Sequence, residues 1–289
     1  MKKITTRSLV SFIFLAAFLL LAISCADSNA TNTLLPVIEK KQQVLSSANA
    51  EQPIPKADAT AILKFPEVPI LCYHHIRDWK VSDSRRARDY IVPVDNFRNQ
   101  MKMLSDKGFH TISPDQLVEH LTTGSLLPAN PILLSFDDTD EEQFSIAKTE
   151  MDKYGFKGVF FIMTVSLGRP NYMSKEQVKQ LSEEGHTIGS HTWDHQNVKK
   201  YEEKDWSIQV DRPTHQLETL IGKPIHYFAY PFGLWNTAAI PQLKERGMLA
   251  AFQLSAKRDE QNPLYSIRRI IVPGDWSVGA FEKRIKSSF

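Results

Sequence analysis

From Val68 onward, short apolar runs alternate with amphipathic stretches. The runs at residues 70–74, 132–136, 159–164, 187–190, 227–230, 249–254 and 269–272 predict buried strands, with a weaker one at 109–112. Helical spacing of apolar residues predicts helices over 97–107, 114–122, 141–154, 175–184, 205–221 and 237–246. Ser113-Pro114 and Ser174 suit helix starts, and Gly108, Gly155, Gly185 and Gly247 stand where C-terminal caps belong. Helices that end in Gly just before a strand describe an α/β protein. With seven or eight strands and no dinucleotide glycine fingerprint, a (β/α) barrel is the expected topology. Its chemistry should gather at the carboxyl ends of the strands, where Asp137, His191 and Phe232 fall.

The 289 residues suffice for one large α/β domain or two small ones, and the formal net charge of +2 gives no strong electrostatic case for a nucleic-acid partner. The N-terminus changes the picture more. Lys2, Lys3 and Arg7 precede an apolar stretch over 9–23, followed by Ser24-Cys25, the layout of an export signal. Ala22-Ile23-Ser24-Cys25 resembles a bacterial lipobox, with Leu21 one place upstream of the usual position. A plain signal peptide or a short membrane anchor is the alternative. The expectation is an exported lipoprotein, anchored through Cys25, facing the periplasm or cell exterior. Residues 26–66, rich in Ala, Asn, Ser, Thr, Pro and Lys, read as a flexible tether, leaving 67–289 as the domain. Cys72, the only other cysteine, lies in an apolar run and reads as a small buried hydrophobe.

The candidate chemistry begins with Asp137 and Asp138, directly after the 131–134 apolar run. On a strand, consecutive residues point to opposite sides, so one carboxylate can bind a metal while its neighbour stays free as a base. His191 and His195 are four apart, as in a helix-borne metal pair or a loop after a strand. One Asp and two His leave open positions for water and substrate, the catalytic rather than the structural arrangement. Imidazole ligands favour Zn²⁺, with Co²⁺, Ni²⁺ or Fe²⁺ as substitutes in a mixed N/O site.

Three spaced motifs resemble the polysaccharide deacetylases of the NodB type, carbohydrate esterase family 4, over roughly residues 68–289. Ser135-Phe-Asp-Asp-Thr139 resembles the family's first motif, His191-Thr-Trp-Asp-His195 the second, and Phe228-Ala-Tyr-Pro-Phe-Gly233 the third. The resemblance implies a distorted (β/α) barrel, Asp137 as general base, and Asp138, His191 and His195 as metal ligands. It also implies a groove wall at Tyr230, Pro231 and Phe232, with the Phe232 N–H helping to hold an oxyanion. Asp275-Trp276 is similar to the fourth motif, with Trp276 either an aromatic wall or a core residue. The implied partner is an N-acetylated envelope or extracellular polysaccharide.

Thr139 stands where the family has Gly, and Ala229 where it has an Arg directed at the base. Arg268 and Arg269 could supply the missing charge. Arg269 is favoured, because its neighbour should point away on a strand. The family's C-terminal Leu-x-His is absent, whereas Leu71-Cys-Tyr-His-His75 opens the domain. This resembles the circularly permuted, exported poly-N-acetylglucosamine deacetylase branch. There His74 would be the general acid, acting as an imidazolium, with His75 the alternative. Two other functions stay open at this level: a non-catalytic glycan- or metal-binding protein on the same barrel, and an amidohydrolase for a small amide.

Overall fold

A computed structural model describes residues 58–254 and 256–289. The expected signal segment, Cys25 and the tether up to residue 57 lie outside the described residues. Among the described residues, no helix is long and apolar enough to cross a membrane. A helix at Ala59–Lys64, capped by the Asp58 side chain, buries Ile62, so ordered structure begins inside the segment expected to be tether. The correction follows from the cap and one apolar contact, which suffice to dock a short helix.

Among the described residues ten strands form: β1 (Ile70–Tyr73), β2 (His75–Ile76), β3 (Ile91–Val92), β4 (His110–Thr111), β5 (Pro131–Phe136), β6 (Gly158–Ile162), β7 (Thr187–Ser190), β8 (Tyr227–Ala229), β9 (Ala250–Phe252) and β10 (Ile270–Ile271). The main sheet runs β10-β1-β5-β6-β7-β8-β9, with β4 beside the start of β5, and every pairing is parallel. A bridge between Phe252 and Ile267 joins β9 to the chain entering β10, so the sheet curls toward closure. β2 and β3 form a separate parallel pair.

The period of two along each strand divides the core into layers. Leu71, Leu134, Phe136, Phe160, Phe228 and Ala251 belong to the larger apolar cluster, together with residues of the outer helices. Their neighbours Ile70, Leu133, Val159, Phe161, Tyr227, Ala229 and Phe252 form the second cluster. On β5 the Leu133 side continues through Ser135 to Asp137, so the strand's own alternation carries the carboxylate to that side. The strand is apolar enough to stay buried on both faces, as a parallel barrel requires.

The helices follow the apolar spacing. Helices Pro114–Thr123 and Lys175–Glu183 start with full capping boxes at Ser113 and Ser174. Gly108, Gly155, Gly185 and Gly247 all take left-handed φ values just past a helix, as expected. The stretch expected as one helix over 141–154 contains a π-helical segment, Gln143–Lys148, which turns Gln143 into the core. Helix Val278–Ser287, with Ser277 as its cap, was not apparent from the pattern.

Gly274 shows how tightly the β3 region meets the C-terminal segment. A Cβ there would lie 1.9 Å from the Ile91 carbonyl oxygen, which is backbone and cannot swing aside. Gly274→Ala is expected to lower stability by about 1–3 kcal/mol, read as a lower denaturation midpoint with an unchanged slope.

Candidate active site

Asp137 lies just past β5 and is 3 % exposed. Fully buried Arg269 grips it bidentately, Nη1 to Oδ1 and Nη2 to Oδ2, each at 2.7 Å. The same guanidinium donates to Ser135 Oγ at 3.1 Å and to the Gln253 carbonyl at 3.2 Å, and lies over the Phe161 ring. Arg268 points the other way, to Glu67 and the Ser288 carbonyl, as strand alternation requires. Burial alone would raise the Asp137 pKa, but the Arg269 charge outweighs it and holds the carboxyl at about 2. Ala229 is also fully buried and belongs to the same inner cluster as Phe161. A small side chain there goes with an arginine that arrives from another strand. Cys72 is buried as expected, and its thiol also reaches Asp137 Oδ2 at 3.5 Å. Burial pushes that thiol up and keeps it protonated.

Asp138 is separated from Asp137 by a turn rather than by strand alternation. Its φ is +75° and that of Thr139 is +73°. Thr139 occupies this left-handed position, which suits Gly, while its Oγ1 accepts the Met163 N–H at 2.8 Å. Across from it, the chain after β7 is a turn, not the helix its histidine spacing allowed, with Thr192 and His195 at φ +68° and +64°. Four residues other than Gly in left-handed conformations on these two turns are costly and need surrounding structure to hold them.

The result of these turns is convergence. Asp138 Oδ1 lies 3.4 Å from both His191 Nε2 and His195 Nε2. His191 donates from Nδ1 to the Ala229 carbonyl at 2.8 Å, which fixes the tautomer and leaves the Nε2 lone pair facing inward. Asp138 Oδ1 and His191 Nε2 are buried without hydrogen-bond partners. Burial pushes His195 down to about 4, so this imidazole is neutral at neutral pH. Orphaned atoms on a carboxylate and an imidazole, with a second imidazole beside them, are the donor set a divalent cation requires.

A His74 ring nitrogen, Cys72 Sγ and an Asp137 carboxylate oxygen lie within 4.8 Å of one another. Burial lowers the His74 pKa, although Asp138 and Asp137 oppose the shift. That direction favours the neutral imidazole over the expected imidazolium in the resting site. Two residues here gave no signal in the sequence. Gln143 Nε2 donates to the carbonyls of both His74 and Asp137, tying the two backbones together. Exposed Tyr90 meets His74 edge-on with ring centroids 5.0 Å apart.

The third motif divides. Phe232 is 58 % exposed at φ +59° and packs edge-on against His195, with centroids 4.3 Å apart. Pro231 is buried beneath it. Tyr230 is fully buried and donates its hydroxyl to the Tyr265 carbonyl, so it presents no side-chain surface to a ligand, contrary to expectation. Trp276 lines a separate cavity with Leu254, Ile270, Ile271, Arg284 and Ser288, and none of these belongs to the carboxylate–histidine cluster. Its ring packs against the core, the second of its two expected roles.

A curled parallel barrel with ionisable side chains gathered beyond the carboxyl ends of β1, β5 and β7 has the layout of a barrel enzyme. The polysaccharide deacetylase family matches over residues 126–251. Among curated proteins, the Bacillus subtilis protein YxkH, named for polysaccharide deacetylase, is 29 % identical, covering 83 % of this chain and 91 % of its own. The poly-β-1,6-N-acetyl-D-glucosamine N-deacetylase of Staphylococcus epidermidis is 26 % identical over 71 % of this chain and 75 % of its own. Among solved structures, the Streptococcus pyogenes deacetylase PplD superposes with a TM-score of 0.69 at 20 % identity, covering 76 % of this chain and 98 % of that one. IcaB from Ammonifex degensii does so at 0.65 and 25 % identity, covering 76 % and 97 %. By motif, fold and relatives, the domain is similar to the polysaccharide deacetylases, a family of hydrolases, whose model matches residues 126–251.

Proposed function

We propose that the protein removes N-acetyl groups from a cell-envelope or extracellular polysaccharide, with O-acetyl groups as a secondary target. The observation that carries this reading is the Asp137–Arg269 pair set against the Asp138, His191 and His195 donors. Those three would hold the metal, Zn²⁺ foremost, with Co²⁺, Ni²⁺ or Fe²⁺ able to replace it. A divalent ion there supplies Lewis acidity, polarising the acetyl carbonyl and acidifying water.

In this reading the chain's own groups divide the proton traffic. Asp137, ionised at neutral pH, takes the proton of the attacking water. The Phe232 N–H stabilises charge developing on the acetyl oxygen. His74 protonates the departing nitrogen, which cannot leave as an amide anion. Because His74 rests neutral, it must first gain a proton, and Asp137, in the same cluster, holds one after the attack. Exposed Phe232 and Tyr90 offer apolar faces for sugar rings. The N-terminal features support export and a lipid anchor at Cys25, which would place the domain where such polymers lie.

Acetate release from poly-β-1,6-N-acetylglucosamine, the polymer in the staphylococcal relative's name, is the first assay, followed by peptidoglycan, chitooligosaccharides and acetylated xylan. The wild type should release acetate and contain metal. His195→Ala, which removes one of three donors, should lose the ion held by Asp138, His191 and His195 together with the activity. Glycan binding without acetate release from any of these polymers would overturn the catalytic reading.

A further inference from the structure

A second group of ligating side chains lies next to the catalytic cluster, and the proposed reaction does not use it. His75 Nδ1, on β2, is 2.9 Å from Glu142 Oε1 and 3.2 Å from Asp140 Oδ2. One imidazole nitrogen carries at most one proton, and the hydrogen bond at His75 Nδ1 is the one with Glu142 Oε1. Asp140 Oδ2 is left buried with no hydrogen-bond donor, on a residue only 4 % exposed. A carboxylate oxygen taken from water without a donor is costly. Arg77, the nearby cation, has its guanidinium committed to Asp83 through bonds of 2.9 and 3.0 Å.

We propose that His75, Asp140 and Glu142 hold a second divalent cation beside the catalytic metal site. One imidazole and two carboxylates make a mixed N/O set suited to Zn²⁺ or Mn²⁺. The three donor atoms lie within 4.8 Å of one another. Around a tetrahedral ion with bonds of about 2.0–2.2 Å, neighbouring ligands sit about 3.3–3.6 Å apart. The His75 contacts of 2.9 and 3.2 Å need to open only slightly to admit one. The His75 side chain is 39 % exposed, which leaves a solvent-facing side for entry and for water ligands. The ion would tie β2 to the chain that follows the strained Asp138–Thr139 turn. It would therefore help hold Asp138 toward His191 and His195.

The test is metal stoichiometry by equilibrium dialysis of the full-length protein, stripped with chelator and re-equilibrated with Zn²⁺ alone. Two equivalents are expected for the wild type. One is expected for His75→Ala and for Glu142→Gln, the latter preserving shape if the former perturbs folding. His195→Ala should also retain one. Two equivalents persisting in both His75→Ala and Glu142→Gln would overturn the proposal. A single wild-type equivalent abolished by His195→Ala would overturn it too, while leaving the catalytic reading intact. A single equivalent that survives His195→Ala but is lost in Glu142→Gln would uphold this site and overturn the other.

Discussion

Replacing Asp137 by Asn is expected to cut turnover by about 10²–10⁴-fold while metal content stays at the wild-type level. The substitution keeps the side chain's shape and removes its capacity to take a proton. The donors Asp138, His191 and His195 are separate side chains, so the metal site survives. The loss should fall on kcat with KM little changed, because the proton is taken up only on the way to the transition state. Asn also leaves the Arg269 charge buried with one neutral acceptor, so some stability should be lost. Folding is therefore checked by denaturation on the same preparation used for acetate release and metal analysis. A variant that retains metal and turns over within a few-fold of wild type would remove Asp137 from the base role.

Much of this site was legible because strand periodicity is strict. Once β5 was read as a buried strand, Ser135 and Asp137 had to share a side. The same rule separated Arg268 from Arg269 and pointed to the latter. The rule failed one residue later, where Asp138 takes a left-handed turn that no period of two describes. The His191 and His195 spacing left helix and loop open for the same reason: the count of residues is visible, but the sign of φ at Thr192 and His195 is not. Tyr230 was misplaced because a motif gives a segment and not the direction of each side chain. Gln143 and Tyr90 depend on a π-helical offset and on a short 3₁₀ helix packed against His74, both products of tertiary packing. The protonation state of His74 was equally hidden, because it depends on how completely the finished barrel excludes water.

Arg269→Met is expected to destabilise the protein by about 3–5 kcal/mol at neutral pH and to abolish acetate release. Methionine fills much of the space but leaves the Asp137 carboxylate buried with no cation. Removing one partner of a buried pair is costly because the survivor keeps its desolvation penalty. The pH dependence distinguishes this from a simple packing defect. In the wild type the folded Asp137 pKa, about 2, lies below its ordinary value of 3.8, so the pair's stabilisation is present above pH 3.8 and is lost as pH falls through 2. In the variant, burial without Arg269 raises the folded pKa above the unfolded one, so the site destabilises increasingly as pH rises. The gap in unfolding free energy between the two proteins should thus narrow steadily from pH 7 toward pH 4. Adding Asp137→Asn to Arg269→Met removes the orphaned charge and should recover part of the stability, but no activity. A gap independent of pH, or a double variant no more stable than Arg269→Met, would show that Arg269 stabilises the barrel by packing rather than through the carboxylate it holds.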